Sequence, residues 1–501
     1  MGDQSNSSAK QRCALLFGLW LCLRTAIWLG AVILTQPNAP LDLIEWSSWG
    51  NTIALGYPKH PPFPAWIASA FAWLSPGEVW GIYLAGYLFA ATSLFASWKL
   101  ACEFLPPRHS LLAVICLDGL IFMTGDPSEY SNKVVLDTVW ALTVLFFVFA
   151  LRTGKIRWWV AMGTVVGFGL LNKYTLGLLI VVLAGYVLFD KNARFIIKTP
   201  GPYLAAVVAL ILFSPHAYWL IQNDFLPLRY ASESSTSPYG LISHIRHPAG
   251  FILDQFFIIL PVLLVLATAF GKRTPNFQNR EDHKLLDWVV IGPVVILLLL
   301  SFTTGCQLRD IWGSPLWIFI GTWTLVKWGS ISNSHLRLST YTWAIVALGM
   351  FSFCMGRNLF LPYLTHRPTR IHFPGKLLAK EINQRWSFHC NKPFEIVAGE
   401  AWRAGNVSVY SLQRPMFYSS GVTGYLLFEP QFSPWTSDQD FSTRGGIIVW
   451  DANELGDELT PDVRLRFPQA VVQAPILLPF LTGAKVRPER TGLAFIFPKS
   501  P

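Results

Sequence analysis

The sequence predicts a mainly α, polytopic transmembrane helical bundle of about eleven spans, followed by a small C-terminal extracytoplasmic α/β domain. Three observations predict it. Of 501 residues, 52% are hydrophobic and only 14% are charged, where a soluble domain carries about 25% charged residues. The mean hydropathy is +0.40 and there are 22 tryptophans, so much of the surface faces lipid. Past residue 360 the long apolar runs stop and charges alternate with short apolar stretches, as in a water-soluble unit. The chain divides accordingly into a transmembrane domain, 1–360, and an extracytoplasmic domain, 361–501.

A helix crosses a bilayer with about 20 apolar residues. Segments near that length are 14–34, 79–101, 110–124, 137–151, 158–172, 174–190, 203–221, 251–271, 286–303, 313–327 and 340–356. The first is expected to stay as an anchor, because it contains Arg24 and runs into Gln36-Pro37-Asn38 rather than a small-residue cleavage site. With the N-terminus inside, the inner loops collect sixteen Lys and Arg, Lys272, Arg273 and Arg280 among them, and the outer loops six. That asymmetry is the positive-inside pattern, and it puts residues 361–501 outside. The inner cations face six acids, a surplus of ten that matches the net charge of +10. No nucleic-acid partner is needed to explain it. The seven cysteines form no CxxC pair, and their apolar surroundings suit small core residues.

In the C-terminal part, Leu377, Leu378, Ile382 and Trp386 recur at near-helical spacing after Pro374-Gly375. Phe394-Glu395-Ile396-Val397 and Ile447-Ile448-Val449-Trp450 are short apolar runs that read as strands.

Charged groups are costly at membrane depth, so ionisable residues near the outer ends of the spans are the first candidates for chemistry. The first outer loop, 35–78, carries Asp42, Glu45, Trp46 and Trp49, then Gly56-Tyr57-Pro58-Lys59-His60-Pro61-Pro62. A helix over 42–55 would set Asp42, Glu45 and Trp49 on one face. The Pro-Pro step ends it and presents Lys59 and His60 on a turn, and 63–75 suits an interfacial helix. A second outer cluster holds Asp126, Glu129, Tyr130, Asn132, Lys133 and Asp137. Lys173, in Asn172-Lys173-Tyr174 between two apolar runs, is held where an anionic headgroup could meet it, or where it could snorkel to lipid phosphate. Arg309 is a further outer cation, and Arg24 and Asp118 are positioned within spans where they could pair. Acids and cations beside a membrane suit transfer from a lipid phosphate: a carboxylate takes a hydroxyl proton and cations hold the departing phosphate. No Walker, Rossmann or HExxH motif argues for another mechanism.

The stretch Asp42…Glu45…Trp49…Gly56-Tyr57…His60-Pro61-Pro62…Ala65-Trp66 resembles the first outer loop of glycosyltransferase family 39, which includes protein O-mannosyltransferases and aminoarabinose transferases. The likeness continues through Asn132…Leu136-Asp137…Trp140, Gly167…Asn172-Lys173-Tyr174, Pro215…Trp219…Asn223 and Trp312-Gly313-Ser314-Pro315, and reaches Phe373-Pro374-Gly375 and Ala404-Gly405-Asn406. The resemblance implies a GT-C fold with an outward-facing site, a polyprenyl-phosphate sugar as donor and an inverting transfer. It implies Asp42 as the catalytic acid, with Glu45 as the other candidate because the family's second acid is Leu43 here. The family's phosphate-binding lysine position is His60 here, beside Lys59, which leaves His60, Lys59 and Lys173, with Tyr174 next to it, as alternative holders of the donor phosphate. Glu129, Tyr130, Asn132, Asp137 and Arg309 are left as candidate substrate contacts. A divalent metal is allowed by some relatives, but the sequence offers no clear ligand set. The expected acceptor is an envelope hydroxyl, on lipid A, a glycan, a lipid or a protein, at a bacterial cytoplasmic (inner) membrane with the C-terminal domain in the periplasm. The rival reading is a lipid-linked glycan flippase or secondary transporter, which would keep its ionisable groups near the midplane and show repeated halves.

Overall fold

The structure is a computed structural model that describes residues 2–233, 240–270, 283–328, 331–420, 428 and 432–498. The inner-loop residues Lys272, Arg273 and Arg280 lie outside the described residues. Among the described residues, seven helices are long and apolar enough to cross a membrane: Ser8–Thr35, Trp80–Phe104, Asn132–Thr153, Gly201–Gln222, Gly240–Ala267, His283–Thr304 and Asn333–Thr365. Each overlaps an expected span. The other four expected spans are shorter or broken. Segments 158–172 and 174–190 form Ile156–Leu170 and Leu176–Phe189, of 15 and 14 residues. Segment 313–327 is a 3-10 stretch, Asp310–Trp317, followed by the helix Ile320–Trp328.

Segment 110–124 is the most altered. It is a helix Pro107–Ile115, a 3-10 turn Cys116–Gly119 and one further turn, Ile121–Thr124. The cause is Asp118. Its carboxylate accepts from Arg24 at 2.5 Å, from Trp20 Nε1 at 3.2 Å and from Trp343 Nε1 at 3.0 Å, while Arg24 also donates to the Met123 carbonyl. The first helix, the broken segment and the last span are thus held at one buried ion pair, and the turn geometry aims the carboxylate at it. Removing one partner of such a pair costs about 3–5 kcal/mol.

Helices in lipid lack a hydrophobic drive toward each other, so close packing at small residues decides their pairing. Gly163 and Gly167 on Ile156–Leu170 meet Ala205 and Ala209 on Gly201–Gln222. A Cβ on Gly163 would come within 2.4 Å of the Ala205 carbonyl oxygen, and one on Gly167 within 2.8 Å of Leu212. This contact fixes the turn that follows, which carries Lys173, over the outer end of Gly201–Gln222.

The C-terminal residues form one five-stranded sheet in the order β2-β1-β3-β5-β4. The strands are β1, Ile396–Gly399; β2, Met416–Ser419; β3, Gly446–Asp451; β4, Val471–Leu478; and β5, Glu489–Ile496. β1 pairs in parallel with β2 and β3, and β5 pairs antiparallel with β3 and β4. The helix Gly375–His389 buries Leu378, Ile382 and Trp386, while Leu377 points away and is exposed. All seven cysteines are free thiols.

This sheet layer clamps the first loop. The Asn38 amide donates to the Ile371 carbonyl at 2.9 Å and the Ala39 amide to the Tyr410 hydroxyl at 3.0 Å. Arg414 donates to Asn51 at 2.8 Å and to Ser69 at 3.2 Å. The loop helices Leu41–Gly50 and Phe63–Ala72 are therefore held from the sheet side as well as from the bundle.

Candidate active site

Pro40, in extended geometry, starts the helix Leu41–Gly50, so Asp42 lies in its first turn. The helix buries Leu43, Ile44, Trp46 and Trp49 and leaves Asp42 and Glu45 half-buried, three residues apart on the open face. Trp49, expected to share that face, is instead part of the core. After the helix, Tyr57 and His60 exchange backbone hydrogen bonds of 3.1 and 3.3 Å, which makes the expected turn. Gly56 is required there: a Cβ would lie 2.2 Å from the Trp219 ring. Tyr57 stacks on Trp49 and His60 on Trp46, with centroids 5.4 and 5.3 Å apart. Lys59 reaches back to Glu45 at 2.5 Å.

The second cluster closes in the same way. Asp126 and Glu129 lie on a 3-10 turn, and Lys133 reaches both, at 3.3 and 3.2 Å. Asp137 is fully buried and accepts from Ser314 Oγ at 2.8 Å. Tyr130, in a left-handed backbone conformation, is fully buried and donates to the Pro64 carbonyl at 2.8 Å. Asn132 is buried, its carbonyl accepting from Asn172 at 3.0 Å. Tyr130, Asn132 and Asp137 are thus each held by contacts within the chain. Tyr174 hydrogen-bonds His216 Nε2 at 2.8 Å, and His216 Nδ1 faces the Leu55 carbonyl at 2.7 Å. These contacts make Tyr174 a strut tying the lysine turn to the first loop, where it was expected to hold phosphate. The buried His216 was missed by sequence reasoning. The only signal for it was its place directly after Pro215 in the Pro215…Trp219 motif.

Two charges are left over. Among the described residues neither Asp42 nor Lys173 has a hydrogen bond or ion pair to its charged group. Burial, Glu129 and Glu45 push the Asp42 carboxyl up to about 6, against the opposing pull of Lys133 and Lys59. Burial and neighbouring Lys133 bring the Lys173 ammonium down to about 8, and Asp137 and Asp42 resist that fall. Burial, with Lys173, Lys59 and Arg309 nearby, holds His60 down to about 3. His60 is therefore neutral, which removes it as a charged phosphate holder. Burial works against the Lys59 charge, but Glu45 outweighs it and keeps Lys59 above its ordinary value. Arg309 is exposed before its 3-10 stretch, with its charge felt by both His60 and Lys173.

Asp42 also lines a cavity of about 410 Å³, together with Gln36, Glu129, Arg357, Asn358 and Arg370. Sequence reasoning missed both arginines. Asp42 and Glu129 are the acids on this wall, and among the described residues no three His, Cys, Asp or Glu come together as a metal site.

A family model described as dolichyl-phosphate-mannose-protein mannosyltransferase matches residues 59–219, a stretch that includes Lys59, Lys133, Lys173 and His216 but begins after Asp42. The chain is similar to the lipid A galacturonosyltransferase RgtD of Rhizobium johnstonii, 24% identical over 64% of this chain and 67% of that one. It is similar to the lipopolysaccharide core galacturonosyltransferase RgtB of the same organism, 23% identical over 86% of each. Among solved structures, ArnT from Cupriavidus metallidurans bound to undecaprenyl phosphate shares the fold with a TM-score of 0.62 at 14% identity, over 96% of this chain and 99% of that one. Its apo state matches with a TM-score of 0.59. Fold over nearly the whole length, sequence over most of it and a family model around the lysine turn agree: this chain is a multi-pass membrane glycosyltransferase that shares the fold of ArnT.

Proposed function

We propose that the chain transfers a sugar from a polyprenyl-phosphate donor to a hydroxyl of lipid A or of its attached saccharide, on the outer face of a bacterial cytoplasmic membrane. The names of the relatives support a galacturonosyl group as the sugar, and undecaprenyl phosphate in the ArnT structure supports the donor class. Residues 361–501 are the periplasmic domain in this reading. The observation that carries it is that Asp42 and Lys173 lack partners among the described residues while Glu45, Lys59, Asp126, Glu129 and Lys133 beside them are paired with one another.

Asp42 takes the proton of the acceptor hydroxyl. The oxygen attacks the anomeric carbon, a new C–O bond forms as the bond to the phosphate oxygen breaks, and the configuration inverts. The departing phosphate carries the bonding electrons as negative charge, which Lys173 and Lys59 meet. Lys59 is aimed by Glu45, so Glu45 is a positioning residue and Asp42 the base. The test is Asp42→Asn in purified enzyme supplied with undecaprenyl-phosphate galacturonate and lipid A. Loss of transfer with retained folding is expected, and turnover near wild type overturns the assignment.

A further inference from the structure

The cavity beside Asp42 holds two cations that the transfer step does not use. Arg357 and Arg370 line it, and neither guanidinium has a hydrogen bond or ion pair among the described residues. Arg370 stands over the Trp402 ring at 5.8 Å, which orients it without neutralising it. Lys59 and Lys173 are not on this wall. Asp42 is common to both sets, so it lies between two separate groups of cations. Glu129, the other acid of the wall, is held by Lys133 at 3.2 Å, while both arginines are exposed, with Asp126 in electrostatic reach of Arg357. The same end of the last span turns Phe360, Tyr363 and Leu364 outward, 60, 49 and 77% exposed, on a helix apolar enough to stand in a bilayer. Arginine favours this use, since its planar fork matches phosphate and carboxylate oxygens.

We propose that this cavity is the acceptor subsite, and that it takes a lipid-anchored saccharide bearing a phosphate or carboxylate group, which Arg357 and Arg370 bind while the attacking hydroxyl meets Asp42. Acyl chains lie along the outward face of Phe360 and Leu364. The assignment of the acceptor role rests on the transfer reading above, but the binding site itself does not.

The test uses the full chain in lipid nanodiscs, with binding read by native mass spectrometry in the absence of any donor sugar. The probes are lipid A with two phosphates, lipid A with none, phosphate-free lipid A carrying acidic core sugars, and undecaprenyl phosphate. Arg357→Gln and Arg370→Gln should each weaken the anionic acceptors about tenfold, with partial recovery in the lysine variants, and leave undecaprenyl phosphate binding unchanged. Whether the phosphorylated or the acidic-core probe responds identifies the anion. Equal binding of charged and uncharged lipid A to the wild type overturns the proposal, as does a parallel loss of undecaprenyl phosphate in the variants, which would move the arginines to the donor side. Arginine-dependent lipid A binding in a protein that transfers no sugar would keep the subsite and overturn the transfer reading alone.

Discussion

Two groups of buried charge in this molecule are built on opposite plans. In the sheet layer, Arg403 binds Asp451 at 2.7 Å and Glu489 at 2.6 Å and also donates to Glu400, and Thr491 donates to Glu489 at 3.0 Å. The donors of one guanidinium are consumed by three carboxylates at the ends of β1, β3 and β5. Around Asp42 the same residue types stop one step short: Lys59 takes Glu45, Lys133 takes Asp126 and Glu129, and Asp42 and Lys173 are left. The closed network stabilises and orients, whereas the open one keeps a proton acceptor and a cation free for a substrate. The difference is one of partner count and of burial together, since the closed network is the more deeply buried while Lys59 and Glu129 of the open one are about a third exposed.

The sharpest way to break the comparison is to remove the open acid. Asp42→Asn is expected to lower sugar transfer by about 10²–10⁴-fold, the usual contribution of a general base, measured as product formed from the lipid-linked donor. Opening the closed network should act on stability instead. Arg403→Ala leaves three carboxylates facing one another and should cost about 3–5 kcal/mol, seen as a lowered unfolding temperature that Asp42→Asn does not show.

Asp42→Asn should move stability the other way. Because the folded protein raises the Asp42 carboxyl from 3.8 to about 6, it binds that proton more tightly than the unfolded chain does. Stability is therefore lost as pH rises from 3.8 through about 6. At pH 7 the neutral asparagine variant should be the more stable protein by about 1–3 kcal/mol, read from the same unfolding curves. A decrease would show that the carboxylate has a structural partner.

The rate profile sharpens the pairing. The base must be ionised, so activity should rise as pH passes about 6, and the cation must be protonated, so activity should fall as pH passes about 8. Lys173→Gln should abolish the alkaline limb and keep the acid one. The smallest effect is expected for Glu45→Gln, which frees Lys59 without removing it. The donor KM should rise by less than about tenfold with kcat little changed, since a half-exposed ion pair contributes about 1 kcal/mol or less.

Much of the donor side was legible in the sequence because it is local. Asp42, Glu45, Lys59 and His60 fall within one loop, helical spacing puts the two acids on one face, and Pro61-Pro62 ends the segment whatever surrounds it. The partners of Asp137, Tyr130 and Tyr174 were not legible for the opposite reason. These three residue types suit a polar site, but Ser314, the Pro64 carbonyl and His216 satisfy them from elsewhere in the chain. His60 looked like a cation until the lysines around it and its burial against Trp46 made the charged form unfavourable. Arg357 and Arg370 are more than 300 residues from Asp42 in sequence, and no spacing rule could bring them to its cavity.

Composition and periodicity by themselves determined the helical membrane bundle, with eleven expected spans, and the small α/β part after it, because the cost of exposing peptide groups and charges to lipid depends on the run of residues alone. They also singled out Asp42 and Lys173 as outer charges. What only the tertiary structure decided is which charges keep a partner. The two short helices and the broken span at Asp118 belong with that decision, since they follow from contacts between distant segments. A carboxylate's proton affinity is set by the groups that surround it in space, and those arrive here from the first loop, the 3-10 turn at Asp126–Glu129, the lysine turn and the far end of the last span.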